Sequence, residues 1–123
     1  DTSLAEGLML LTPFAADSTD EKTQTFVTAY KDAYTDTPNQ FAADSYDAVY
    51  AIKAAAEKEN VTPDMDVADI CAALEKGMTE ITYDGLTGKS ITWSEDGEPT
   101  KEPTVVVVKS GEYQVLQAED AAE

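Results

Sequence analysis

Residues 18–58 read STDEKTQTFVTAYKDAYTDTPNQFAADSYDAVYAIKAAAEK, and this stretch decides the fold. Ser18-Thr19-Asp20-Glu21 fits a capping box, in which a hydroxyl at the helix start accepts from a free backbone N–H and the glutamate three residues on reaches back. Phe26, Val27, Tyr30 and Tyr34 recur at helical spacing, which predicts an amphipathic helix to about Tyr34 whose aromatic stripe faces a core. Thr37-Pro38-Asn39 stops it, because the residue before proline is driven out of the α region. A second helix is expected over 41–58, with Ala42, Tyr46, Val49, Tyr50 and Ala56 among its less polar positions.

Working outward, GLMLLTP at 7–13 is a short, continuous apolar run, the pattern of a strand covered on both faces. Beyond the loop Thr62-Pro63-Asp64, Asp66 is expected to cap a third helix ending at Lys76-Gly77, with the glycine in the left-handed position after the helix. Cys71 falls with Val67, Ile70 and Leu74 on that helix's apolar side, which predicts a buried thiol. The period then changes. Residues 80–83 and 90–93 are expected as short strands around Asp84-Gly85 and Thr87-Gly88, followed by a turn at 95–99. Residues 104–109 and 112–116 form a predicted hairpin joined at Ser110-Gly111, and the acidic tail AEDAAE at 118–123 is expected to fray.

Composition removes several classes of function. Eight lysines against 25 acids, with no arginine or histidine, give a net charge of −17, so the chain repels phosphate backbones and anionic lipid and is no nucleic-acid partner. Without histidine, the Ser-His and Cys-His routes to an activated nucleophile are closed within this chain, and the commonest neutral metal ligand is missing. Asp17 to Glu21 and Glu95 to Glu98 lack the ligand spacing of a calcium loop and are better explained as a helix cap and a turn. No cofactor and no catalysis are implied. At 123 residues and 42% hydrophobic content the chain can bury a core, and its longest apolar runs are too short to span a bilayer.

The order of elements poses a packing problem. Two continuous apolar strands, one near each end, want cover on both faces, and three amphipathic helices want a sheet to lie on. The missing cover belongs either to other residues or to a second copy of the chain.

The series AEGLMLLTPF, then TPNQFAADSYDAVYAIKAAAEK, then DVADICAALEKG, then YDGLTGKSITWSEDGEPTKEPTVVVVKSGEYQVL resembles the carboxy-terminal third of type I periplasmic binding proteins, especially the Leu/Ile/Val-binding components of ABC transporters. The most telling pieces are PxxFAAxxYDAV at 38–49 and GLTGKSITWxEDG at 85–97. The resemblance implies an α/β fragment of a two-lobed fold that closes on a small polar solute such as an amino acid. Residues 1–16 and 103–123 would belong to the second lobe and 17–102 to the first. It also implies an extracytoplasmic protein, periplasmic or a surface lipoprotein, that delivers its ligand to a membrane permease.

The family's main clamps, first-lobe hydroxyls and a helix N-terminus for the solute carboxylate and a second-lobe acid for the ammonium, would lie upstream. What carries over is the start of the second helix, where Ala43 stands in the place of an aromatic wall and so puts a branched aliphatic ligand in doubt. Asp44 could meet an ammonium, Tyr46 could contact the ligand, and Phe14 could line the crossover between lobes. Asp47 is expected to play no part. The alternative reading is a non-catalytic module that dimerises through exposed strands, and self-association of this chain is expected on either view.

Overall fold

The computed structural model describes residues 2–116; the tail AEDAAE lies outside the described residues. A 3₁₀ turn at Thr2–Ala5 leads into β1 (Met9–Thr12), followed by α1 (Glu21–Tyr34), α2 (Gln40–Lys58), α3 (Val67–Glu80), β2 (Thr104–Lys109) and β3 (Glu112–Val115). The chain divides into two compact units, 1–43 with 103–123 and 44–102, and the division falls within α2. The unit that holds 1–16 and 103–123 therefore also takes in 17–43.

In the first unit the sheet runs β1-β2-β3, antiparallel throughout. Leu10 pairs with Val106, and Val106 with Val115. The β2–β3 turn is built on Ser110 and Gly111 at φ of 56° and 81°, the doubly left-handed turn whose twist suits a two-residue hairpin. Val106, Val107 and Val108 are buried, as the apolar run requires. β1 differs from expectation: Met9 and Leu11 are 63% and 69% exposed. Its outer edge pairs with no strand among the described residues.

Helix α1 starts two residues later than its capping box suggests. Asp20, not Ser18, is the cap: its carboxylate accepts from the Thr23 N–H at 3.0 Å, while the Ser18 hydroxyl accepts from the Asp20 N–H at 3.3 Å. An aspartate at the cap also brings a full negative charge to the positive end of the helix dipole, which favours the shorter helix. Val27 is buried, and the aromatic stripe forms a ladder from Phe14 through Phe26 and Tyr30 to Tyr34, at centroid spacings of 6.0, 5.8 and 4.7 Å. The ladder ends in water, since Tyr34 is exposed.

α2 buries a different stripe from the predicted one. Ala43, Asp47, Ala51 and Ala55, each one turn from the next, are all buried, whereas Val49 and Tyr50 are exposed. Short side chains let another backbone approach, and in the second unit that backbone is α3. A Cβ on Gly77 would lie 2.7 Å from the Ala55 carbonyl oxygen. Gly77 is thus an interior helical contact rather than the left-handed residue past the helix end. α3 continues three residues further, to Glu80, and Asp66 makes no side-chain capping bond.

The orientation set by Gly77 explains why Cys71 is exposed rather than buried. At 100° per residue, Cys71 lies roughly 120° round the helix from the glycine that faces α2. The segments expected as strands at 80–83 and 90–93 shrink to isolated bridges, Tyr83 to Ile91, closed by reciprocal 2.8 Å backbone bonds, and Trp93 to Pro99. Ile91 is the centre of a small core with Ile81 and Leu86. Ser94 and Glu98 close the acidic turn, with Ser94 N–H donating to the Glu98 carbonyl at 3.0 Å.

Candidate functional site

In the first unit, the end of β1 is tied to the start of α2. The Thr12 hydroxyl oxygen accepts from the Phe14 N–H at 3.2 Å and donates to Gln40 Oε1 at 3.1 Å. Asn39 caps the helix, its Oδ1 accepting from the Ala42 N–H at 3.1 Å and its carbonyl from the Ala43 N–H at 3.3 Å. Between the sheet and this helix start is a cavity of about 700 Å³. Leu10, Phe14, Phe41 and Val106 supply apolar wall, and Asp17 and Lys31 the charges.

Of the residues expected at a site, Phe14 lines this cavity. It is buried and held edge-on against Phe26. Ala43 belongs to the same unit but is fully covered, and it is not part of the cavity wall.

Asp44 and Tyr46 lie in the second unit. The Asp44 carboxylate is already engaged by Lys101 Nζ at 3.0 Å, an ion pair about a third exposed on either side. Tyr46 stacks at a tilt on Tyr50 with centroids 4.6 Å apart, and its phenol is held above the usual range chiefly by a hydrogen bond with Tyr50 and then by burial.

Asp47 is the residue that sequence reasoning missed. One oxygen accepts from the Leu86 N–H at 2.8 Å and the Tyr83 hydroxyl at 3.3 Å. The other accepts from the Thr87 N–H and the Thr87 hydroxyl, both at 2.8 Å. Thr87 is itself fully buried. A Cβ on Gly85 would lie 2.4 Å from this carboxylate, so the loop can wrap it only with glycine there. Burial, followed by the Asp47 charge, pushes the Tyr83 phenol well above its ordinary value, so it remains a donor at neutral pH. Its trace in the sequence is its place in AxxxDxxxAxxxA, which becomes an inward position only once that stripe, rather than Val49 and Tyr50, faces the core.

Among the described residues no cluster of acids or thiol is arranged to hold a metal ion, and no helix is long and apolar enough to cross a membrane.

No curated protein matches the chain. Among solved structures, it is similar over 91% of its length to a Rhodospirillum rubrum protein described provisionally as a branched-chain amino acid ABC transporter, at 32% identity and a TM-score of 0.69. A Desulfitobacterium hafniense ABC transporter substrate-binding protein in complex with Leu is matched at 24% identity, TM-score 0.74, over 93% of this chain and 32% of that one. A solute-binding protein from R. palustris in complex with benzoate is matched at 20% identity, TM-score 0.74, over 91% of this chain and 29% of that one. At the two lower identities the likeness is one of fold. The chain spans 31% of the R. rubrum protein, so it corresponds to about a third of such structures. The family model described as "Periplasmic binding protein" matches residues 2–112, nearly everything described above, and the chain belongs to that family.

Proposed function

We propose that this chain is part of the substrate-binding component of an ABC importer, an extracytoplasmic receptor that closes two lobes on a small solute and presents it to a membrane permease without catalysing a reaction. The observation that carries the reading is the family match across residues 2–112. The solute is amino-acid-like or a comparable small acid, as in the relatives solved with Leu and with benzoate. Phe14 is the wall residue best supported by geometry, because it borders the cavity. Ala43 is fully buried at the helix start and does not border the cavity. Asp44 can receive an ammonium only by giving up Lys101, which makes it a weaker ligand group than its sequence position suggests. The test is a thermal-shift series on the full-length protein with amino acids and small aromatic acids. A cognate solute at a hundred times its Kd should stabilise the fold by about 2.7 kcal/mol. A panel in which nothing shifts the transition would overturn the receptor reading.

A second reading is favoured by one observation: Leu8, Met9 and Leu11 on and beside β1 are 51%, 63% and 69% exposed. An open strand edge flanked by apolar side chains is a template for pairing with another chain. On this reading the 123-residue polypeptide self-associates through β1, and light scattering should return a mass above that of the monomer. A monodisperse monomer would eliminate it.

A further inference from the structure

The chain passes from the first unit into the second between Ala43 and Asp44, and it returns between Glu102 and Pro103. Within this chain these two passages are the covalent links between the units. An ion pair inside the second unit joins them: Lys101 Nζ donates to Asp44 Oδ1 at 3.0 Å, across 57 residues. Asp44 is the first residue past one passage, and Lys101 is the last but one before the other. The pairs made by Lys53, Lys58 and Lys76 involve residues 53–80 alone, away from both passages.

Exposed ion pairs contribute little when two long side chains must first be ordered into one geometry. Here much of that ordering is already done. The Lys101 side chain is 29% exposed, against 49–59% for the other ion-paired lysines. Its stem runs past Gly88, where an added Cβ would lie 3.8 Å from Lys101 Cγ. The preceding residue is held as well, since the Thr100 N–H donates to the Thr92 carbonyl at 2.9 Å and the Thr100 hydroxyl oxygen accepts from the Thr92 N–H at 3.0 Å. On the other side, Asp44 stands one helical turn before Asp47, whose carboxylate fixes α2 to the backbone of Leu86 and Thr87. Both partners are therefore mounted on anchored backbone.

We propose that the Asp44–Lys101 pair is a clasp that holds the two passages at one spacing and so restrains how freely the lobes turn about them. Hinges are a few residues at the ends of elements that absorb the backbone change, and a charge pair between two such places stiffens both. The inference rests on the receptor reading, in which two lobes close on a solute, and adds a group that governs the closure without touching the solute. Because the pair is open to water, ionic strength tunes it: in 1 M salt the Debye length falls to about 3 Å and the attraction is screened.

Small-angle X-ray scattering of the full-length protein, without solute and at low ionic strength, tests the clasp. Lys101→Met keeps the stem and removes the charge; it should broaden the range of radii of gyration needed to fit the scattering, through a shift of up to about fivefold between open and closed forms, the limit for an exposed pair. Lys101→Glu, which sets two carboxylates against each other, should broaden it further. Adding Asp44→Lys to Lys101→Glu should bring the profile back toward the parent's. Melting temperatures of all the variants should match the parent's, and in 1 M NaCl the difference between the parent and Lys101→Met should vanish. Scattering of Lys101→Met that superimposes on the parent's at low salt overturns the inference, and so does a difference that persists in 1 M NaCl or is not reduced by the reversed pair. The thermal-shift panel judges the receptor reading separately. If a solute shifts the transition while Lys101→Met scatters like the parent, the clasp alone falls; if no solute does and the parent scatters as one fixed shape, both fall.

Discussion

Asp47→Ala is expected to cost about 3–5 kcal/mol, because it removes several hydrogen bonds to a charged group, each worth about 1.5–3 kcal/mol, and relieves part of that by no longer burying the charge. The substitution leaves two backbone N–H groups, the Thr87 hydroxyl and the Tyr83 hydroxyl facing a methyl group. Each buried donor left without a partner costs about 1–3 kcal/mol, reduced where water can enter. These bonds tie the segment 83–87 to α2, so it should loosen first. Asp47→Asn should be milder, near 2 kcal/mol, because one carbonyl oxygen can still serve two of the donors while the amide nitrogen opposes the others. Urea unfolding followed at the single tryptophan, Trp93, reads both variants. A change in midpoint equivalent to less than about 0.5 kcal/mol, the size of an ordinary surface substitution, would show that the carboxylate does not hold the loop.

The second large effect is one of sign. Gly77 lies in the interior of α3, where replacing glycine by alanine should by propensity stabilise the helix by about 1 kcal/mol. Packing decides otherwise. The new Cβ would sit 2.7 Å from the Ala55 carbonyl oxygen and 3.1 Å from the Ala55 Cα, and both are backbone atoms of α2 that no rotamer change can move. The helices must separate by a few tenths of an ångström or more along the whole contact, and overpacking of this kind costs about 1–3 kcal/mol. Gly77→Ala should therefore lower the stability read by urea unfolding by a net of up to about 2 kcal/mol, with helix content by circular dichroism unchanged before the transition. Stabilisation would mean that α2 and α3 do not approach as closely as Gly77 and Ala55 indicate. The rest of α3 offers little to compensate, since Val67 is 77% exposed.

The two substitutions share a cause that is hard to see in one dimension. Asp47 looks like any helix-surface acid until its stripe is drawn, and its donors come from 36 to 40 residues away. Gly77 follows Lys76, which made it resemble a helix terminator. A terminator and a contact glycine have the same letter, and only the position of α2 separates them. The candidate site shows the same division. The family pattern leads to Phe14 through AEGLMLLTPF and to the start of α2 through PxxFAAxxYDAV. It gives no sign that Lys101 neutralises Asp44 from 57 residues away, or that Lys31 borders a cavity with Phe14.

What the sequence by itself determined about this protein is everything governed by neighbours along the chain. The α1 end at Tyr34, the α2 span within one residue, the hairpin at Ser110-Gly111, the acidity and the family pattern all follow from periodicity, proline and glycine placement, and residue counts. The tertiary structure alone decided which face of each helix is inside. Rotating a helix about its axis leaves its hydrogen bonds and its propensity unchanged, so nothing local selects Ala43, Asp47, Ala51 and Ala55 over Val49 and Tyr50. The choice comes from the fit between two backbones at Ala55 and Gly77 and from a buried carboxylate that only loop 83–87 can satisfy.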